Sequence, residues 1–155
     1  MTRRIEALSS QTPEAVAIPL AALHRTCFPE DPWQPQAIAE LMALAGFFGR
    51  IAWEGLETTG LALAQGLSQE CEILTLGVVP KWRRLGIASA LLAAIVEEAR
   101  HRGAQALFLE VAVDNTAARA LYGVNGFVQI GRRANYYRRA ECRVDALVLR
   151  HLLST

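Results

Sequence analysis

The sequence lacks the features that mark several large classes of protein. Only three cysteines occur, at positions 27, 71 and 142, and they have neither the paired spacing of a zinc site nor a CxxC motif. We therefore expect reduced, mostly buried thiols and no metal site. The formal net charge is only +1, with both signs spread along the chain, which argues against a nucleic-acid or membrane partner attracted by the overall field.

Long hydrophobic runs are also absent. The apolar stretch at residues 38–48 contains Glu40 and is far shorter than the ~20 residues that a membrane-spanning helix needs. The basic start, residues 1–4, is followed by polar residues rather than by the apolar core of a signal peptide. We expect a soluble, cytoplasmic protein. The 155 residues are 52% hydrophobic and contain no repeat or linker, which predicts one domain over residues 1–155.

Hydrophobic spacing and turn residues predict a mixed series of helices and strands. One helix begins at Thr12-Pro13-Glu14 and is kinked or restarted at Pro19, and a second begins at Pro35 and is capped by Gly46. The later elements are strands at 47–53, 60–67 and 71–78, a helix at 87–102, a strand at 106–113, a helix at 116–122, and strands at 127–132 and 145–150. The order β-α-α-β-β-β-α-β-α-β-β predicts an α/β (α+β) fold with a mixed, mostly antiparallel sheet flanked by helices.

The segment Arg83-Arg84-Leu85-Gly86-Ile87-Ala88 lies between a predicted strand and a predicted helix. Unpaired N–H groups and the positive end of the dipole meet at such a helix start, and Gly86 and Ala88 would let a phosphate approach the backbone. A basic helix start also fits plain solvated surface. However, positive side chains at the positive end of a helix dipole destabilise the helix by roughly 0.3 to 1 kcal/mol per charge. We therefore favour an anion site that offsets this cost. Neither GxxxxGK[ST] nor GxGxxG is present, which disfavours nucleotide hydrolysis and hydride transfer.

Arg83-x-x-Gly86-x-Ala88 resembles the coenzyme A pyrophosphate motif of the Gcn5-related N-acetyltransferase (GNAT) family. The resemblance covers about residues 71–149, with a weaker likeness from Phe28-Pro29 to Ile38, and within the family it is similar to the ribosomal-protein-alanine N-acetyltransferases. The further segments that carry it are Leu109-Glu110-Val111, Asp114-Asn115-Thr116-Ala117-Ala118, Ala120-Leu121-Tyr122, Gly126-Phe127 and Asn135-Tyr136-Tyr137. It implies a GNAT-type sheet and acetyl-coenzyme A as cosubstrate.

The resemblance also implies which residues hold acetyl-coenzyme A. Asn115 would contact the pantetheine arm, although from the residues alone it fits a helix cap equally well. The backbone at Leu76, Gly77 and Val78 would hold that arm like an added strand, although the side chains alone indicate only core. The phosphates would lie against Arg83, Arg84, Leu85, Gly86, Ile87, Ala88 and Ser89.

Two residues are candidates for the chemistry of acetyl transfer. Glu110 interrupts an apolar strand, where a carboxylate is costly to bury, and the resemblance makes it the general base. The alternative is an exposed carboxylate or one paired with an arginine. Tyr122 would be the general acid that protonates the leaving thiolate, or a core tyrosine with an incidental hydroxyl. Glu70 and Glu72 could orient the amine or be surface charge.

The resemblance implies an N-α-acetyltransferase whose acceptor is a protein N-terminus, most simply the alanine of a small-subunit ribosomal protein. Asn135-Tyr136-Tyr137 would be a loop that grips the peptide, or a plain turn with exposed rings. Acetylation of lysine side chains or small amines, and a non-catalytic acyl-coenzyme A-binding module, stay open as alternatives. The oligomeric state is left open, with a monomer favoured.

The net charge does not support nucleic-acid binding through Arg132, Arg133, Arg138 and Arg139. None of the three histidines lies in a motif that would supply a catalytic or metal-binding partner. We therefore expect them to be structural or surface residues: His24, His101 and His151.

Overall fold

The computed structural model describes residues 2–8 and 13–153. The helices are α1 (Pro13–Cys27), α2 (Pro35–Met42), α3 (Ile87–His101) and α4 (Thr116–Val124). The strands are β1 (Arg3–Ala7), β2 (Phe47–Glu54), β3 (Glu57–Gln65), β4 (Glu70–Val78), β5 (Ala106–Ala112), β6 (Val128–Arg138) and β7 (Arg143–Leu152). A single turn of 3-10 helix, Pro80–Trp82, precedes α3. The predicted helix start at Thr12 lies outside the described residues.

The seven strands form one sheet in the order β1-β2-β3-β4-β5-β7-β6. Neighbouring strands are antiparallel except for β4 and β5, which are parallel. The parallel pair is the one joined by α3, because a parallel connection needs a crossover that returns the chain to the same end of the sheet. The predicted fold class, with its mixed and mostly antiparallel sheet, is confirmed.

Helices cover both faces of the sheet, and β3 illustrates how the sequence specifies this. Its side chains alternate: Ala62 and Ala64 pack in the cluster that contains α3, whereas Leu61 and Leu63 pack in the cluster that contains α1 and α2. All four are fully buried. A strand buried on both faces does not alternate apolar and polar residues, because neither face meets solvent. This explains the apolar run at residues 60–64 of β3.

One prediction about the helices, the cap at Gly46, is wrong, and one of the two alternatives for Pro19 is excluded. Pro19 lies inside α1, which runs unbroken through it, so the helix does not restart there. Gly46 does not cap α2: the helix ends at Met42, and the N–H of Ala43 donates to the carbonyl of Ala39 at 3.1 Å. Gly46 instead has a φ of +85° in the turn before β2, where an added Cβ would lie 2.5 Å from the carbonyl oxygen of Gly66.

Strands β4 and β5 pair only at one end, and this divergence leaves a gap between them. Residues 70–72 are in register with residues 106–108, after which β4 continues along β3 while β5 continues along β7. A bulge in β4 lies just after this point, since Thr75 pairs with Leu63 and Ile73 with Ala64, which leaves Leu74 as the extra residue. The two strands therefore open into a cleft that begins after Glu72 and Phe108.

The segment Asn135-Tyr136-Tyr137 is not a loop, as the sequence indicated, because it belongs to β6. The register with β7 is irregular between Arg133 and Tyr137, and Asn135 has a φ of +53°. Its backbone N–H donates to the Asp145 carboxylate at 2.9 Å, which stabilises this bulge. The bulge explains why turn-like residues occur inside a strand.

The remaining compositional expectations concern thiols and membranes. Cys27 and Cys71 are buried and free, as predicted, whereas Cys142 is exposed. Across residues 2–8 and 13–153, none of the helices combines the length and apolar character that a bilayer crossing requires. In the same part of the chain, no group of three His, Cys, Asp or Glu side chains is arranged to hold a metal ion.

Candidate active site

The turn before α3 leaves the start of that helix accessible. Arg84 and Gly86 both have positive φ angles, +64° and +83°, and Gly86 is the residue at the N-terminal cap. A Cβ added to Gly86 would meet only the Nη1 atom of Arg3, at 3.6 Å. The N–H groups of the first helical turn have no intrahelical acceptors, so this backbone has room for a phosphate. The anion site itself stays a prediction.

Arg83 and Lys81 use their side chains within the protein. The Arg83 guanidinium donates from Nε to the carbonyl of Val78 at 2.9 Å and from Nη2 to the carbonyl of Cys27 at 3.1 Å. Cys27 is the last residue of α1, so this cation also complements the negative end of that helix. Lys81 pairs with Glu57 at 3.0 Å. The phosphate role of Arg83 stays a prediction, and its guanidinium has this structural role as well.

The cleft between β4 and β5 has a volume of about 540 Å³. It is lined by residues 73–76 of β4 and residues 109–112 of β5, and residues of the segment after α1 and of α4 line it as well. The predicted base, the predicted acid and the predicted pantetheine contact all line it: Glu110, Tyr122 and Asn115. Three residues separated along the sequence are therefore brought to one site.

Glu110 lies on the face of the sheet opposite α3, because its neighbours Leu109 and Val111 pack in the cluster that contains α3. Its Oε1 atom is 2.7 Å from the Nε of Arg133, and its side chain is 19% exposed. The pairing with an arginine, which the sequence left open as an alternative, is therefore present. It does not exclude catalysis, since the carboxylate also faces the cleft.

Glu72 lies beside Glu110 on the same side of the sheet, in a smaller cavity of about 340 Å³ that both residues line. Burial raises the pKa of the Glu72 carboxyl, the nearby charge of Glu110 raises it further, and Arg133 opposes this. Glu70 lines the same cavity and is exposed. Glu72 is exposed as well, and it is the carboxylate whose pKa the charge of Glu110 raises.

Tyr122 approaches the cleft from the other side of the sheet. It is 6% exposed, packs in the cluster that contains α3, and contacts the ring of Phe127 edge to face at 5.5 Å. Burial raises the pKa of its hydroxyl to about 12, with Tyr137 as a second cause. The phenol therefore holds its proton throughout the physiological range. The carboxylate of Glu110 and the phenol of Tyr122 flank the cleft from opposite faces of the sheet.

Asn115 has the helix-cap role, one of the two that the sequence left open, and its contact with the pantetheine arm stays a prediction. Its Oδ1 atom accepts the N–H of Ala118 at 3.2 Å, which makes it the N-cap of α4. The residue also lines the cleft. A cap in this position fixes the beginning of the helix that carries Tyr122.

The β4 residues predicted to bind through their backbone border the open part of the strand. Leu76 lines the cleft, and Val78 already accepts the Arg83 hydrogen bond at its carbonyl. Gly77 is required for packing, because an added Cβ would lie 2.6 Å from the ring of Phe28. No side chain can be added there without moving the end of α1.

His24 is a residue of the site that the sequence did not indicate. It is 2% exposed, lines the cleft, and lies between the rings of Phe28 and Trp33, each at 4.7 Å. Its Nδ1 atom accepts the backbone N–H of Trp33 at 3.1 Å, and its Nε2 atom is 3.4 Å from the Thr75 hydroxyl. Burial lowers the pKa of the imidazole to about 4. A histidine just before the aromatic and proline-rich segment 28–33 was the available signal.

Two tyrosines of β6 lie close to Glu110, and one of them lines the cleft. Tyr136 is 51% exposed and close to Glu110, whose charge raises the pKa of its hydroxyl. Tyr137 lines the cleft, and burial followed by the charge of Glu110 raises its pKa to about 12. The two rings meet edge to face at 5.1 Å.

The arginines considered for nucleic-acid binding are largely neutralised by carboxylates. Arg132 pairs with Asp145 at 2.5 Å, Arg133 with Glu110 at 2.7 Å, and Arg139 with Asp114 at 2.8 Å. Three of the four side chains in that set therefore have an acidic partner on the same surface, which leaves little net charge for a phosphate backbone.

Comparison with known proteins gives related N-acetyltransferases. The chain is 36% identical over 88 residues to the [Ribosomal protein bS18]-alanine N-acetyltransferase of Escherichia coli K12, a match of 57% of this chain that spans 60% of the relative's length. It is 35% identical over 113 residues to the N-alpha-acetyltransferase RimI of Mycobacterium tuberculosis, covering 70% of each chain.

Solved structures agree with this over almost the whole chain. The crystal structure of the Escherichia coli ribosomal-protein-S18-alanine N-acetyltransferase superposes with a TM-score of 0.87 at 26% identity, covering 99% of this chain and 96% of that one. Arabidopsis thaliana NAA60 in complex with acetyl-CoA shares the fold, with a TM-score of 0.81 at 20% identity and coverage of 98% and 99%. The model of the Acetyltransferase (GNAT) family matches residues 17–127. The chain belongs to the GNAT family of acetyltransferases.

Proposed function

We propose that the protein is an acetyl-coenzyme A-dependent N-α-acetyltransferase that modifies a protein N-terminal amine. The observation that carries the proposal is the arrangement of Glu110 and Tyr122, a carboxylate and a protonated phenol that line one cleft from opposite faces of the sheet. Transfer between a thioester and an amine needs a base on the side where the amine arrives and a proton donor on the side where sulfur departs. The cleft offers one of each.

The donor acetyl-coenzyme A supplies an activated acetyl group, and the chain's own residues would bind and orient it. The Gly86 turn suits the phosphates because the start of α3 is accessible there. Besides Gly86, the binding residues that we propose at this turn are Arg83, Arg84, Leu85, Ile87, Ala88 and Ser89. The open edge of β4 at Leu76, Gly77 and Val78 would hold the pantetheine arm, and Asn115 would contact it from α4.

In the reaction, Glu110 accepts a proton from the attacking amine as nitrogen bonds to the acetyl carbon. The bond from that carbon to sulfur then breaks, and Tyr122 gives the sulfur its proton, so the products are an N-acetyl amide and a thiol. Exchange with solvent returns Glu110 and Tyr122 to their starting states. The pKa of about 12 keeps Tyr122 protonated until sulfur departs. Burial also raises the pKa of a thiol, which favours the transfer.

The acceptor would approach on the face that carries Glu110, which we term the acceptor side. An α-amine has an unperturbed pKa of ~7.7 to 8.0 against ~10.4 for lysine, so a single carboxylate is sufficient help near neutral pH. The two cavities that Glu110 lines contain more acidic than basic side chains, which suits a basic peptide. The acidic ones include Glu30, Asp31 and Glu72, and the basic ones are Arg133 and Arg139. We propose the N-terminal alanine of a small-subunit ribosomal protein, in line with the name of the Escherichia coli relative.

Mass spectrometry of peptides incubated with the protein and acetyl-coenzyme A tests this function. Peptides that begin with alanine and continue with basic residues should gain one acetyl group at the α-amine. The same peptides with a blocked N-terminus are the matched control and should stay unmodified. Acetylation confined to lysine side chains would show an acetyltransferase with a different acceptor, and binding without any transfer would indicate an acyl-coenzyme A-binding module.

We further propose that residues 1–155 form a single domain. The two clusters of buried side chains share the strand β3, which contributes alternate residues to each. Because neither cluster can lose β3 and stay covered, we expect one cooperative unfolding transition. Two transitions in urea, followed by fluorescence and by circular dichroism, would contradict this.

A further inference from the structure

The imidazole of His24 is held in one orientation and one tautomer. Its ring is stacked on Trp33 with an interplanar angle of 18° and is tilted by 39° against Phe28. The Trp33 N–H donates to Nδ1, so Nδ1 must be unprotonated. Because burial lowers the pKa of His24 to about 4, the ring is neutral near pH 7, and its one proton lies on Nε2.

The Nε2–H of this tautomer faces the hydroxyl oxygen of Thr75. The Nε2 to Oγ1 distance is 3.4 Å, a long contact of the kind that tightens when a site is occupied. A hydroxyl that accepts from His24 keeps its own hydrogen for donation elsewhere. Within the described chain, the hydrogen-bond contacts of Thr75 Oγ1 consist of His24 alone, so the Thr75 hydrogen is available to a group in the cleft.

Thr75 lies on the acceptor side. It follows the bulge at Leu74, and its partner in β3 is Leu63, which packs toward α1 and α2 rather than toward α3. Thr75 lines the same cleft as Glu110. Its hydroxyl is therefore on the face where the amine arrives, across the sheet from Tyr122 and from α3.

We propose that the Thr75 hydroxyl, oriented by His24, donates a hydrogen bond to a peptide carbonyl oxygen of the acceptor and so positions its amine beside Glu110. Thr75 is then a substrate-binding residue, and His24 is a positioning residue that acts through it. This inference rests on the proposed function and deepens it, since it adds a contact that reads the acceptor backbone. A carbonyl oxygen suits this contact, because the His24 proton occupies one lone pair of the hydroxyl oxygen and the hydroxyl hydrogen is left to donate to an acceptor.

Steady-state kinetics tests the contact, with a peptide that has a free N-terminal amine and that the protein has been shown to acetylate. Thr75→Val keeps the shape of the side chain and removes the hydroxyl, and we expect the KM for the peptide to rise about 3- to 10-fold, the range for one neutral hydrogen bond. The kcat and the Kd for acetyl-coenzyme A should stay near the wild-type values. Thr75→Ser should restore the KM. Thr26→Val is the matched control, because its hydroxyl donates only to the carbonyl of Ala22 within α1.

The pair His24 and Thr75 is tested by a double-mutant cycle. His24→Asn can still accept the Trp33 N–H but has no donor that reaches Thr75. It should raise the peptide KM in the wild-type background and have no further effect in the Thr75→Val background. Equal effects in both backgrounds would reduce His24 to a packing role and overturn the proposal. A rise in the Kd for acetyl-coenzyme A would assign the hydroxyl to the cosubstrate instead, with the same consequence.

A separate measurement does not depend on the acceptor. Long-range proton–nitrogen NMR of the free protein reports which nitrogen of His24 carries the proton, and we expect Nε2–H. A proton on Nδ1 would overturn the orientation of Thr75 even if N-terminal acetylation had been established. Conversely, an Nε2–H tautomer together with acetylation of lysine only would contradict the proposed function and leave the contact between His24 and Thr75 intact.

Discussion

The turn that begins α3 and the acceptor side of the cleft differ in how the chain builds them. Residues 80–89 are consecutive, and the phosphate site that we propose there would consist mostly of backbone groups at a helix start. The acceptor side takes single side chains from α1, β4, β5 and β6: His24, Thr75, Glu110 and Tyr136. A ligand common to a family can be bound by a local backbone motif, whereas recognition of a particular acceptor depends on side chains that only the tertiary fold brings together.

The largest effect expected at the turn is loss of acetyl-coenzyme A binding in Gly86→Leu, measured by calorimetry. A side chain at this position would fill the space above the α3 N-terminus, where only Arg3 now lies near. Gly103→Leu is the matched control: Gly103 also has a positive φ, +84°, and nothing lies within 4 Å of an added Cβ. Both variants carry the same backbone strain, so unchanged affinity in Gly86→Leu would show that the phosphates bind elsewhere.

On the acceptor side, the burial of His24 makes stability depend on pH. The folded pKa of about 4 is below the ordinary value of 6.5, so the unfolded chain binds the extra proton between these values. The contribution is fully present above pH 6.5 and is lost as the pH falls toward 4, with a limit of about 3 kcal/mol. Urea unfolding of His24→Asn across this range should give a flatter profile than wild type. Parallel profiles would mean that His24 is not buried in its neutral form.

Substitutions at Arg83 and Arg84 should have different effects on the stability of the protein and on its affinity for acetyl-coenzyme A. Arg83→Met removes hydrogen bonds to the carbonyls of Val78 and Cys27 and should lower the free energy of unfolding by about 1 to 2 kcal/mol. Arg84→Met should leave stability nearly unchanged and weaken acetyl-coenzyme A binding more than Arg83→Met does. Urea unfolding and calorimetry of the two variants measure this. The reverse order of affinities would assign the phosphate contact to Arg83.

The same contrast explains what could be predicted from the sequence. The order of elements and the Gly86 turn follow from short-range signals, namely helical spacing, apolar strands and a glycine at a helix start. The contact from Arg83 to Cys27 spans 56 residues and that from His24 to Thr75 spans 51, so no local pattern reports them. Asn135-Tyr136-Tyr137 was predicted as a loop because the bulge in β6 requires turn-like residues.

Glu110 could be named from the sequence as a candidate base for a different reason. A carboxylate in an apolar strand is conspicuous because its burial is costly, and the cleft and Arg133 account for it together. The divergence of β4 from β5 could not be read in the same way, since it depends on where pairing stops rather than on residue type. Single residues that line the cleft could therefore be predicted, but the cleft that brings them together could not.

The pH dependence of the rate in Glu110→Gln and Tyr122→Phe tests the central claim, that a base and an acid act from opposite faces of one cleft. On a verified peptide, each variant should lose about 10²-fold in kcat. The loss in Glu110→Gln should be greatest at mildly acidic and neutral pH and should diminish above about pH 8, where the α-amine is free without help. The loss in Tyr122→Phe should persist at every pH, because the departing thiolate always needs a proton. Near-normal rates in both variants across the range would contradict the account.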